Sequence, residues 1–148
     1  MKILSILFCD DVRQEASGKL ILIGVYDIGM VIAAESTWPV KVPMAFYLRF
    51  QLEKNDPAFD AAEFKMFLDD ELLIKGSGPV NVGDFSLPIV VCQRLPNITI
   101  KQAGTIRLEC SFISEGKLVG ELKPDCLLSV QSQESVPKSQ DPKLPHKA

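Results

Sequence analysis

MKILSILFCDDVRQEASGKLILIGVY, residues 1–26, is the stretch that decides the fold class. Two apolar runs, Ile3–Cys9 and Leu20–Tyr26, enclose a polar segment, Asp10–Gly18, that reads as a connecting loop. Each run is about strand length, rich in Ile, Leu and Val, and apolar on both alternating faces. That is the pattern of strands with few solvent-facing positions, which a buried helix segment shares. The stretch reads as two central strands joined by a hairpin.

Downstream the period is two residues. Asp27–Ala34 continues as an extended segment with Gly29 as a bulge or bend, and Glu35–Pro39 is a loop. Over Val40–Glu53, Phe46, Leu48, Phe50 and Leu52 share one face, while Tyr47, Arg49, Gln51 and Glu53 share the other. A short helix competes with strand only near Pro57–Glu63. Phe64, Met66 and Leu68 then alternate with charged residues up to an Asp69-Asp70 turn, and Leu72–Lys75 runs back. Gly76–Gly83 reads as a loop and Phe85–Cys92 as a strand whose Pro88 marks an edge or a bulge. Ile106–Phe112 and Leu118–Leu122 form a hairpin across Ser114–Lys117, and Asp125–Val130 adds a last short strand. The expectation is all-β: a single antiparallel β-sandwich of about eight or nine strands over residues 1–130. Residues 131–148, with three prolines and few apolar side chains, are expected to form a disordered tail.

The 148 residues suit one domain, and a net charge of −3 leaves no electrostatic footprint for nucleic acid or an anionic membrane. No apolar run approaches the ~20 residues of a membrane-spanning helix. Ile3–Phe8 is too short for a signal core and no small-residue cleavage site follows, so a cytoplasmic location is expected. Cys9, Cys92, Cys110 and Cys126 lie apart inside apolar runs with no CxxC spacing, and are expected to be reduced and buried.

Phe8-Cys9-Asp10-Asp11-Val12-Arg13, then Gly18-Lys19 and Leu22-Ile23-Gly24-Val25-Tyr26, is similar to the opening of a family of small bacterial and phage β-rich proteins, a domain of unknown function. The resemblance implies a β-rich fold and a bacterial or phage cytoplasmic origin. It implies no activity, catalytic residue or cofactor.

The chemistry-bearing motifs are few. His146, the only histidine, lies in the tail, so the rest of the chain lacks a Ser-His-Asp or Cys-His arrangement and zinc-ligand spacing. Phosphate-loop and dinucleotide fingerprints are missing, and no cofactor is implied. Asp10, Asp11, Asp69 and Asp70, gathered from loops at one end of a sandwich, would suit calcium; the alternative is a solvated hairpin loop in which an aspartate caps backbone N–H groups and pairs with Arg13. Trp38 is either a partner anchor or a plug at the open end of the sandwich, and Tyr47 and Arg49 either contact a partner or cover a solvated sheet. Pro142-Lys-Leu-Pro145 matches PxxP within the tail. The expected function is a non-enzymatic binding or assembly module, working on a protein partner or on its own copies. Alternatives are a calcium- or small-ligand-binding sandwich and, last, an enzyme.

Overall fold

The computed structural model describes residues 1–27, 29–33, 36–83, 86–124 and 128–133. Ten strands form among them: β1 (Lys2–Gln14), β2 (Leu20–Val25), β3 (Met30–Ile32), β4 (Val40–Gln51), β5 (Ala61–Leu68), β6 (Glu71–Pro79), β7 (Ile89–Ile100), β8 (Gly104–Ser114), β9 (Lys117–Leu122) and β10 (Leu128–Ser132). No α-helix occurs among the described residues, and none is therefore long and apolar enough to cross a membrane. One sheet has the order β2-β1-β4-β7; the other runs β3-β10-β8-β5-β6, with β9 also paired to β8.

The two sheets pack face to face, as the alternation in β4 requires. Phe46, Leu48 and Phe50 point from the first sheet into a common core with Met66, Leu108 and Phe112 of the second. Phe50 and Phe112 lie 5.0 Å apart between ring centroids, and Phe59 closes on Phe112 at 4.5 Å. Offset and tilted ring pairs at these separations add to the burial energy. No buried side-chain nitrogen or oxygen among the described residues lacks a hydrogen-bond partner. The sandwich is held by apolar packing.

Several expectations need correction. Asp10–Gly18 is not a loop: β1 runs on to Gln14, and the turn is confined to residues 15–19, closed by Glu15 N–H to Lys19 O and Gly18 N–H to Glu15 O, both 2.9 Å. The polar residues can remain in strand because Asp10 and Asp11 have partners, described below. Only β1 of the opening pair is central; β2 is an edge strand. The chain after Tyr26 changes sheet, and β3 pairs with β10 in parallel, so the sandwich is not purely antiparallel. Pro57–Glu63 holds no helix, because Phe59 is drawn into the core and β5 begins at Ala61.

Gly76 and Gly78 belong to β6, not to a loop. A Cβ on Gly76 would stand 2.4 Å from the Phe64 ring, so the glycine lets that ring lie flat across its strand neighbour. β7 starts after Pro88, and the proline inside it is Pro96, tolerated because β7 is an edge. Gln131 and Ser132 are strand residues rather than tail; residues 134–148 of the expected tail, with Pro142 and Pro145, lie outside the described residues, as does Cys126. Cys9, Cys92 and Cys110 are free thiols. Cys9 and Cys110 are buried, whereas Cys92 is half-buried, because it sits on the outer face of the first sheet.

Candidate functional site

The outer face of the first sheet is built by strand register. Leu7, Tyr47 and Cys92 stand directly opposite one another across β1, β4 and β7, and Ser5, Arg49 and Val90 form the next row. Tyr47 is half-buried, while Arg49 and Val90 are exposed. Tyr47 and Arg49 therefore share a surface, as their spacing in the sequence requires. Trp38 is half-buried and packs against the main core.

β1 stays paired with β4 only as far as Cys9 opposite Ala45, then continues with β2 alone. This two-stranded arm folds over the sheet. Asp11 accepts from Arg94 Nε at 2.7 Å and from Arg13 Nε at 3.1 Å, and Arg94 stands two strands away on β7. Val12, Leu20 and Leu22 pack with Cys9, Ala45 and Cys92 into a second, small core beneath the arm. The Arg13 and Arg94 guanidiniums hold the Asp11 carboxyl below its ordinary value. Asp10 accepts a hydrogen bond from the Tyr26 hydroxyl, and burial followed by that carboxylate pushes the Tyr26 hydroxyl above its ordinary range. The Asp10 side chain lies across Gly24, where a Cβ would come within 2.0 Å of Oδ2 and where φ is +63°. Only glycine meets both conditions without strain.

These contacts assign Asp10 and Asp11 to holding the arm. Asp69 stands on the other sheet, at the β5–β6 turn, where its Oδ1 accepts from Thr105 N–H at 2.9 Å; Asp70 is exposed beside it. The four carboxylates are not gathered, and among the described residues no group of three or more His, Cys, Asp or Glu side chains is placed to hold a metal ion.

What the sequence did not reveal is the exposure of β2. Ile21, Ile23 and Val25 are each about two-fifths exposed, and the strand's far side has no neighbour in the sheet. Leu20 and Leu22, at the alternate positions, turn to the small core. A run apolar at every position thus serves one core and leaves an apolar row in water. The remaining edges differ: β6 carries Glu71, Lys75 and Pro79, β7 carries Arg94 and Pro96, β9 carries Lys117 and Glu121, and β3 is three residues long. Charges, prolines and shortness are the usual means of keeping an edge from pairing. Among the described residues, β2 is the one longer edge without a charge or a proline.

A separate cleft of about 510 Å³ opens between the edges of the two sheets, beside β6 and β7. Its walls include Leu48, Phe64, Val80, Ile89 and Phe112, with Asn81 and Gln93 as polar members. No protein-family model and no curated protein matches the chain.

Proposed function

We propose that this chain is a non-enzymatic binding or assembly module that works in the cytoplasm through protein contact. The surface offered for contact is the free edge of β2 together with the outer face bearing Tyr47 and Arg49. The observation that carries the reading is the apolar row Ile21, Ile23 and Val25 on an edge that lacks the blunting residues of its counterparts. Addition of a strand to such an edge is a recurrent mode of recognition, with backbone hydrogen bonds supplying affinity and alternate side chains supplying selectivity. The expected result is a photo-cross-linked adduct when a benzophenone side chain replaces Ile21 or Arg49 in the producing cells. The same probe at Leu118, an exposed residue on β9, is expected to give none. Equal labelling at all three sites, or none, removes the reading.

The inter-sheet cleft favours a second reading, a small apolar ligand held between the sheet edges. Pockets of roughly 300–1,000 Å³ with apolar walls and a few polar groups are typical of such sites. A solvatochromic apolar dye should then bind saturably, with about one dye per chain, and lose affinity in a Val91→Lys variant that places a charge on the cleft wall. Non-saturable binding rules this second reading out.

A further inference from the structure

We infer that the open outer face of the first sheet takes an acidic segment of another protein, with carboxylates at alternate positions and an apolar side chain next in line. The inference rests on the contact reading and names the chemistry of its partner. Tyr47, Arg49 and Gln51 face outward on β4, while Phe46, Leu48 and Phe50 between them are buried in the core. Ser5 and Val90 flank Arg49, and Lys2 stands opposite Gln51. Beyond Tyr47 the arm covers the next row, where Cys9 and Ala45 are buried. The open face is therefore three rows long. Along it run Lys2 and Arg49, both exposed, and then Leu7 and Tyr47, both half-buried.

The chain carries a net charge of −3, yet the charged side chains on these rows are both cations. Neither Lys2 nor Arg49 makes an ion pair among the described residues. Glu53 lies past the end of β4 and faces the Met1 ammonium at 3.6 Å. The outer face of the second sheet differs. There Glu63 pairs with Lys65 at 3.0 Å, and Glu109 pairs with Arg107, which also lies over the Phe67 ring. That face neutralises its own charges, whereas the first sheet leaves two cations beside an apolar row. A partner bearing carboxylates supplies the complementary charge, and tyrosine and arginine are the side chains that most often carry contact energy. Successive outward residues of a strand stand about 6.6–6.8 Å apart, and alternate side chains of an extended segment keep the same interval. Such a segment sets one carboxylate over Lys2, one over Arg49 and its apolar side chain over Tyr47. Two cations are too few to track a duplex, with one charge per ~1.7 Å, or to hold an anionic membrane, where clusters of about 4–8 basic residues act.

The probe is a fluorescein-labelled peptide with the sequence Glu-Ser-Glu-Ser-Phe, titrated with the full chain and followed by anisotropy. It should bind saturably, and the same peptide with lysines for the glutamates should bind about tenfold or more weakly. Arg49→Glu should weaken the acidic peptide by about tenfold or more and make the basic peptide the better ligand, a reversal that misfolding cannot imitate. Lys117→Glu makes the same change of charge sign at an exposed residue of β9 and should leave both affinities unchanged. No binding of the acidic peptide, equal binding of the two peptides, or indifference to Arg49→Glu overturns the inference. So does a DNA duplex or an anionic vesicle that binds more tightly than the peptide and loses its affinity in Arg49→Glu. If the peptide result fails while the Ile21 cross-link to another protein forms, the contact reading stands with a partner of other chemistry. The absence of both peptide binding and cross-link overturns both.

Discussion

Replacing Phe50 by alanine is expected to lower the unfolding free energy by about 3–5 kcal/mol, the range for deleting a fully buried aromatic ring. Phe50, near the end of β4, is fully buried between the two sheets and packs on Phe59 at 6.3 Å and Phe112 at 5.0 Å. Its removal takes away buried apolar area and two ring contacts, and it leaves a void that the flanking strands cannot fill. β4 is paired on both sides, to β1 and to β7, so it has little freedom to move inward. Since domains of this kind are stable by about 5–15 kcal/mol in total, the variant should melt early or fold only in part. Urea titration followed by circular dichroism measures the change. A loss below about 1 kcal/mol would mean that the two sheets repack freely across their interface.

Alkali should unfold the chain through Cys110. Burial in the main core pushes this thiol up to about 12 from an ordinary value of 9.0. The folded chain therefore holds the thiol neutral while the unfolded chain releases its proton. Stability from this group is complete below about pH 9 and falls by about 1.4 kcal/mol per pH unit until about pH 12, a total of roughly 4 kcal/mol. Burial raises Cys9 and Cys92 in the same direction, so the chain as a whole should weaken over this window. Cys110→Ala isolates the effect. Its stability should be lower at neutral pH, from the lost sulfur, yet fall less steeply above pH 9. Parallel curves for the two proteins across that window would show that the folded chain admits the thiolate.

The two effects share a cause. Phe50 and Cys110 belong to the same continuous core, where neither a cavity nor a charge can be relaxed by water. The arm is different in kind. Asp11 lies in a network with Arg13 and Arg94 near the surface, so its ion pairs orient the arm more than they stabilise the fold.

Strand identity was legible because a period of two has few competing readings. Val40–Glu53 and Ile106–Phe112 could be assigned, with the face that each buries, from the order of apolar and polar residues alone, and the strands observed there run Val40–Gln51 and Gly104–Ser114. The turns at Asp69-Asp70 and Glu115-Gly116 were also legible, since short polar and glycine-bearing links are compatible with positive φ, which Asp69, Glu115 and Gly116 adopt. Tyr47 and Arg49 followed from the same alternation. Trp38 did not, because whether a loop residue before a proline faces the core or the solvent depends on what lies beneath it.

The sequence by itself determined that the chain is built of strands, that apolar side chains form a core between layers, and which residues of β4 enter it. Only the tertiary structure decided that β2 stands at an edge, that β3 crosses to pair in parallel with β10, and that Asp10 and Asp11 hold an arm across the first sheet. The physical reason is that alternation is a local property of one strand, read within a few residues. Which strands become neighbours is set by long-range packing and by contacts such as Asp11 to Arg94, whose partners lie far apart in the chain. An apolar run such as Leu20–Val25 is compatible with burial on both faces or on one. The fold chose one, and left Ile21, Ile23 and Val25 facing water.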